Sequence, residues 1–222
     1  MATRLFLRDL TAANPPTAGE KSTALPVGTF QGNAGAGFED LALKTTKGVA
    51  QVSKALTSLA QLAHQDSYIA RFTSDALAAQ TIAANTWTLA VATLETNANA
   101  NSFTIGSIYV WRPSGAAVVG FVYDSDTALG VEWLTTEDGQ VLSPAGAAVV
   151  VVDNDVLVLE FWRHAVQGAA MAYSQQLFLE GATDVTGATV ADAASYLETP
   201  QDLVFAAAAA VPNALMMVGA GV

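Results

Sequence analysis

The chain contains no cysteine. Disulfide stapling and thiolate chemistry are therefore excluded. Charge is scarce: Asp, Glu, Lys and Arg make up 13% of the 222 residues, against about 25% in an ordinary soluble domain. Positive charge is scarcest, with 9 Lys and Arg against 20 Asp and Glu and a net charge of −11. A chain this acidic has no basic face to lay along a phosphate backbone, so no nucleic-acid partner is expected. The two histidines, His64 and His164, lie in different regions, and neither H-E-x-x-H nor G-x-S-x-G occurs. No catalytic residue and no cofactor is expected. Met1–Leu10 carries Arg4, Arg8 and Asp9 and has no apolar h-region, so it does not read as a secretory signal. Val204–Val222 is uncharged, but an alanine run and Pro212–Asn213 interrupt it and no basic flank follows. No membrane span is expected there.

What is abundant is small and apolar. Hydrophobic residues reach 52%, with many runs of Ala, Val and Gly. This composition opposes a disordered chain and a charged coiled coil. It favours sheets with much covered surface. The few cations are unevenly placed. Residues 1–71 hold Arg4, Arg8, Lys21, Lys44, Lys47, Lys54 and Arg71 against five acidic residues, while residues 72–222 hold two basic and fifteen acidic. That asymmetry suggests a mildly basic arm that docks on an acidic partner, such as the body of a neighbouring copy.

Three regions follow. Residues 1–66 read as an extended N-terminal arm. Arg4–Asp9 is a short strand candidate, followed by Pro15–Pro16, Pro26 and a Gly/Asn-rich stretch at 28–37. Within the arm, the spacing of Val49, Val52, Leu56, Leu59 and Leu62 predicts a helix near 50–63. Residues 67–203 read as the body. Candidate strands lie at 68–73, 87–94, 103–111, 117–123, 130–134, 147–152, 156–162, 171–180 and 195–197, separated by turn residues and without helical crossovers. This is the pattern of an all-β fold, an antiparallel jelly-roll-like β-sandwich. Ala147–Val152 is unbroken and apolar, as in a strand buried on both faces. Residues 204–222 form an Ala-rich apolar C-terminal tail.

Two short echoes stand out: Tyr109–Val110–Trp111–Arg112 and Glu160–Phe161–Trp162–Arg163. Each predicts a structural pair, Trp111 with Arg112 and Trp162 with Arg163, with the guanidinium stacked on indole. Glu95, Glu132 and Glu160 are the candidate ion partners. Asp124, Asp126, Asp153 and Asp155 sit on loop-like segments, as calcium ligands can. They lack EF-hand spacing and stand where turn formers belong, so no metal is expected. Gly32–Gly37 lacks the Lys-Ser/Thr ending of a phosphate loop. Trp87, Trp111, Trp133 and Trp162, with the Asn97–Asn101 loop, form an alternative: a carbohydrate-binding platform.

Arg4–Leu5–Phe6–Leu7–Arg8–Asp9, Tyr68–Ile69–Ala70–Arg71–Phe72–Thr73–Ser74, Leu77–Ala78–Ala79–Gln80–Thr81–Ile82 and Trp111–Arg112–Pro113–Ser114 together resemble β-sandwich virion proteins of tailed bacteriophages. The resemblance spans about residues 1–175. It implies a non-enzymatic structural protein of the virion, of the capsid cement or decoration class. Its implied partner is a major capsid protein or another virion protein, with a neck or tail component as the alternative. A homo-oligomer, dimer or trimer, is expected. Arg4, Leu5, Phe6, Leu7 and Arg8 are the expected interface residues of the clamping arm.

Overall fold

The computed structural model describes residues 2–17, 21–24, 39–57, 64–169, 171–187 and 192–207, without the side chains of 56, 57, 64, 65 and 166. The described strands, in chain order, are β1 (Arg4–Thr11), β2 (Asp40–Lys44), β3 (Gln51–Thr57), β4 (His64–Thr73), β5 (Gln80–Ile82) and β6 (Asn85–Thr86). They continue with β7 (Thr88–Glu95), β8 (Ser102–Arg112), β9 (Ala117–Leu129), β10 (Asp138–Leu142), β11 (Ala145–Gly146) and β12 (Val149–Val151). The last are β13 (Val156–Val166), β14 (Ser174–Glu180), β15 (Thr183–Asp184), β16 (Ala193–Ala194) and β17 (Tyr196–Glu198). The only described helices are two 3-10 turns.

The fold is all-β and sandwich-like. Eleven strands share one sheet in the order β3-β14-β7-β17-β1-β2-β4-β13-β8-β9, with β10 added on β7. Every pairing in this sheet is antiparallel except β2 with β4, which is parallel. The sheet is continuous, and strands from along it, together with β5 and β12, contribute to one apolar core. This describes a sheet folded over its own interior.

Alternation decides which side chains enter that core. On β13, Leu157, Leu159 and Phe161 point inward; on β8, Ile108 and Val110 do the same. The intervening residues form the outer face: Val156, Val158, Glu160 and Trp162 on β13, and Ile105, Ser107, Tyr109 and Trp111 on β8. These outer residues are buried as well, so something covers the second face. Gly106 lets β8 and β13 approach closely: a Cβ there would meet the Glu160 carbonyl oxygen at 2.7 Å.

The structure corrects four expectations. First, the boundary at residue 66 is not a boundary. β1 lies between β17 and β2 in the middle of the sheet, and Leu5 and Leu7 are fully buried in the common core. An apolar alternation this regular is core-forming, whatever its position in the chain. Second, residues 51–57 of the expected helix form β3, paired with β14 along its length. The apolar spacing there fits both periods over a few residues, and the ladder with β14 decides; 58–63 lie outside the described residues. Third, residues 130–134 are not a strand. β9 runs through Asp124–Asp126 to Leu129, and the next strand is β10. Fourth, Ala147–Val152 is not buried on both faces: Val149 and Val151 are buried while Val150 is 66% exposed. The Gly/Asn-rich stretch at 28–37 and residues 208–222 of the tail lie outside the described residues.

β1 joins the β17 side of the sheet to the β2 side, so removing it divides the core. Deleting residues 1–11 should abolish cooperative unfolding, measured by thermal denaturation. The milder Leu7→Ala should lower stability by about 2–5 kcal/mol, the usual range for emptying a buried leucine site. A truncated chain that unfolds like the full one would refute a central β1.

Candidate functional site

The cover over the outer face is the segment that leaves β1. Beyond Thr11, Pro16 and residues 21–24 lie against the β4, β13, β8 and β9 strands. Pro16 is buried, and its carbonyl accepts from Arg71 Nη2 at 2.9 Å. Ser22 is also buried. Lys21 lies over the Trp111 ring, 5.4 Å from its centre.

Two carboxylates of the sheet hold residues 21–24. Glu160 accepts from the Lys21 N–H at 2.9 Å and the Ser22 N–H at 3.3 Å. Asp124 accepts from the Thr23 N–H at 2.8 Å, the Ala24 N–H at 3.1 Å and the Thr23 hydroxyl at 2.7 Å. The Ser22 hydroxyl also bonds Asp124. Four consecutive backbone N–H groups thus bind two anions. Such donors are obligatory once water is excluded, and bonds to ionised acceptors are the stronger kind.

Glu160 is fully buried. It stands opposite Arg71 across β13 and β4, and Tyr109 donates its hydroxyl to Oε1 at 2.8 Å. Arg71, also fully buried, bonds Asp40 at 2.6 Å. Burial pushes the Glu160 carboxyl above its ordinary range. The Tyr109 bond, the Lys21 and Ser22 N–H groups and the Arg71 charge pull the other way.

A second buried polar cluster lies around Arg163, towards the end of β13. Arg163 is fully buried and bonds the Ser67 hydroxyl at 3.1 Å. Burial lowers its pKa to about 10, against the pull of Asp66 and Glu95. Asp66 pairs with His164 Nδ1 at 2.9 Å. Glu95 accepts from the Ser102 N–H at 3.0 Å. Burial pushes the Glu95 carboxyl up to about 7; the Ser102 bonds and Arg163 oppose this and nearby Glu132 adds to it.

The expected interface residues are engaged within this chain. Leu5 and Leu7 are core, and Phe6 is buried edge-on against Tyr196, with ring centres 6.0 Å apart. Arg4 lies 4.1 Å over the Tyr196 ring and bonds Glu198 at 2.6 Å and Asp184 at 2.5 Å. Arg8 bonds Glu180 at 3.1 Å and the Thr46 carbonyl at 2.8 Å. The other cations follow: Lys47 pairs with Asp184, Lys54 with Asp9 and Glu39, and Lys44 with Asp75. The basic third of the chain therefore docks on acidic groups of its own fold.

The Trp–Arg pairs do not stack. Neighbours on a strand point to opposite faces, so Arg112 and Arg163 lie on the side opposite Trp111 and Trp162. Arg112 instead makes a bidentate pair with buried Asp155, at 2.8 and 2.9 Å. None of the three expected acids serves Arg112, and of the three Glu95 acts on Arg163. The first members of the two echoes do meet, as the Tyr109–Glu160 bond. Of the aspartates considered for calcium, Asp124 holds residues 22–24, Asp155 holds Arg112, and Asp153 accepts from the Ala79 N–H at 2.7 Å. Among the described residues no group of three or more metal-ligating side chains occurs, and no helix is long and apolar enough to cross a membrane. The side chain of His64 is not described.

The Glu160–Arg71 site was not singled out in the sequence. Its signal is a lone charge inside each of two apolar strands, Val156–Trp162 and Tyr68–Phe72. No protein-family model matches this chain. No curated protein matches it either.

The four tryptophans are at most 2% exposed, which removes them as a sugar-stacking platform. Acrylamide should quench their emission weakly, and titration with glycans should leave the spectrum unchanged. Glu95 carries a pH dependence. Its folded pKa, about 7, exceeds the ordinary 4.5, so the folded state holds the proton more tightly. The associated stability is present below about pH 4.5 and is lost as pH rises through about 7, by at most about 3 kcal/mol. Glu95→Gln should flatten this fall in urea melts at pH 5 and pH 8. A wild-type stability that rises over that interval would contradict it.

Proposed function

We propose that this chain is a non-enzymatic structural component of a virion, in the capsid cement or decoration class that its sequence resembles. The observation that carries the reading is the covering segment. Residues 21–24 lie over an outer sheet face, held by side-chain carboxylates and outside any strand ladder, and Pro16 before them is held by Arg71. A rigid body bearing an extended strap suits a protein that must fasten to a surface, because a strap adds contact area without enlarging the core. In this reading the fastening element includes Pro16 and residues 21–24 rather than Arg4–Arg8, whose side chains serve the fold itself. The partner in this reading is a major capsid protein or another virion protein, and the protein acts as a homo-oligomer. Neither nucleic acid nor membrane enters the reading.

Burial of all four tryptophans weighs against the carbohydrate-binding alternative. A neck or tail component would need the same body and strap at lower abundance. Quantitative mass spectrometry of purified particles separates these. A copy number equal to that of the major shell protein, or a simple fraction of it, is the expected result. A low copy number would assign the neck or tail, and absence from particles would overturn the virion reading.

A further inference from the structure

His64 and His164 are the only histidines of the chain and stand far apart in it. The β4–β13 ladder brings their backbones together: Asp66 is opposite His164, and His64 is opposite Val166. Successive residues of a strand alternate between faces. His64 and Asp66 on β4 therefore share one face with His164 on β13, the face that also carries Tyr68 and Trp162. Arg163, next to His164 on β13, belongs to the opposite face. His64 is thus the diagonal neighbour of His164. Diagonal positions across an antiparallel pair are about 7–8 Å apart. Two imidazoles and two metal–nitrogen bonds of about 2.0–2.1 Å each cover that span.

The ring of His164 is oriented from two sides. Its Nδ1 bonds Asp66 Oδ1 at 2.9 Å, and Asp66 is buried. Phe103, its ladder partner on β8, meets it edge-on with ring centres 6.4 Å apart. With Nδ1 turned to a carboxylate, Nε2 is the nitrogen that His164 would present to a metal. A carboxylate behind one ring nitrogen is the usual support of a ligating histidine, because it fixes the tautomer and raises the basicity of the other nitrogen. The His164 side chain is 21% exposed, so an ion can reach it. Imidazole donors without thiolate suit Zn²⁺, Ni²⁺ or Cu²⁺ rather than Mg²⁺ or Ca²⁺.

We propose that His64 and His164 form a binding site for one divalent ion of this class, with Asp66 as the positioning residue behind His164. The inference is independent of the virion reading. The ion would join the start of β4 to the end of β13, where the ladder between them runs out. Because the two ligands meet only through that ladder, the site belongs to the folded chain, and binding there stabilises the fold by mass action.

Calorimetric titration of the full chain with zinc chloride tests this. One ion per chain is expected, with a thermal midpoint that rises with zinc concentration. His64→Gln and His164→Gln should each abolish the saturable binding. Asp66→Asn, which keeps an acceptor but loses the charge, should weaken it by about tenfold. Nitrogen spectra of the unsubstituted protein, labelled at histidine, give a reading that depends on no variant folding. Both imidazoles should shift together as one equivalent of zinc is added, His164 at Nε2 while Nδ1 keeps its proton. Absence of saturable zinc binding would overturn the site. So would binding that either histidine substitution leaves unchanged, or spectra in which one imidazole alone responds. Unchanged affinity in Asp66→Asn would overturn the positioning role of Asp66.

Discussion

A buried carboxylate on the outer face of a sheet is the constraint around which this molecule is arranged. Glu160 interrupts the apolar run Val156–Trp162 and is fully buried. Removing such a charge from water is costly unless every lone pair finds a donor. The donors are Tyr109 on the neighbouring strand and the N–H groups of Lys21 and Ser22 from the strap, and the Arg71 charge stands across the ladder. The strap thereby acquires a fixed place. In taking it, the strap covers Tyr109 and Trp111, which would otherwise present a large apolar patch to water.

The same electrostatic logic extends along the N-terminal third. Arg4, Arg8, Lys44, Lys47 and Lys54 all pair with carboxylates, most of them far away in sequence. Many of these pairs are partly solvated and individually contribute little. Their combined effect is orientation. They align β1 and β2 with β14, β15 and β17, where burial of Leu5, Leu7 and Leu43 supplies the energy.

Much of the fold was legible because strands and turns leave local marks. Candidate strands at 68–73, 87–94, 103–111, 156–162 and 195–197 coincide with β4, β7, β8, β13 and β17 within a few residues, and all alternate or run apolar between turn formers. Errors arose where the local signal was ambiguous. β3 has spacing compatible with a helix, and Asp124–Asp126 has turn-forming residues inside a strand. In the second case the aspartate is needed as an acceptor for residues 22–24. The Trp–Arg echoes were legible as sequence, but their geometry follows from strand alternation, which sends each Arg away from its Trp.

By itself the sequence determined the class of the fold, the absence of thiol chemistry, the acidic surface and the presence of lone charges within apolar strands. These are properties of composition and of periods two to four residues long. Tertiary structure alone decided that Arg4–Arg8 is a central strand, that the basic third docks on its own body, and that Glu160 meets Arg71, Tyr109 and the strap. The physical reason is distance along the chain. Glu160 and Lys21 are 139 residues apart, and no local pattern encodes which strands become neighbours; that is settled when the whole sheet closes over one core and each buried charge must find its partners.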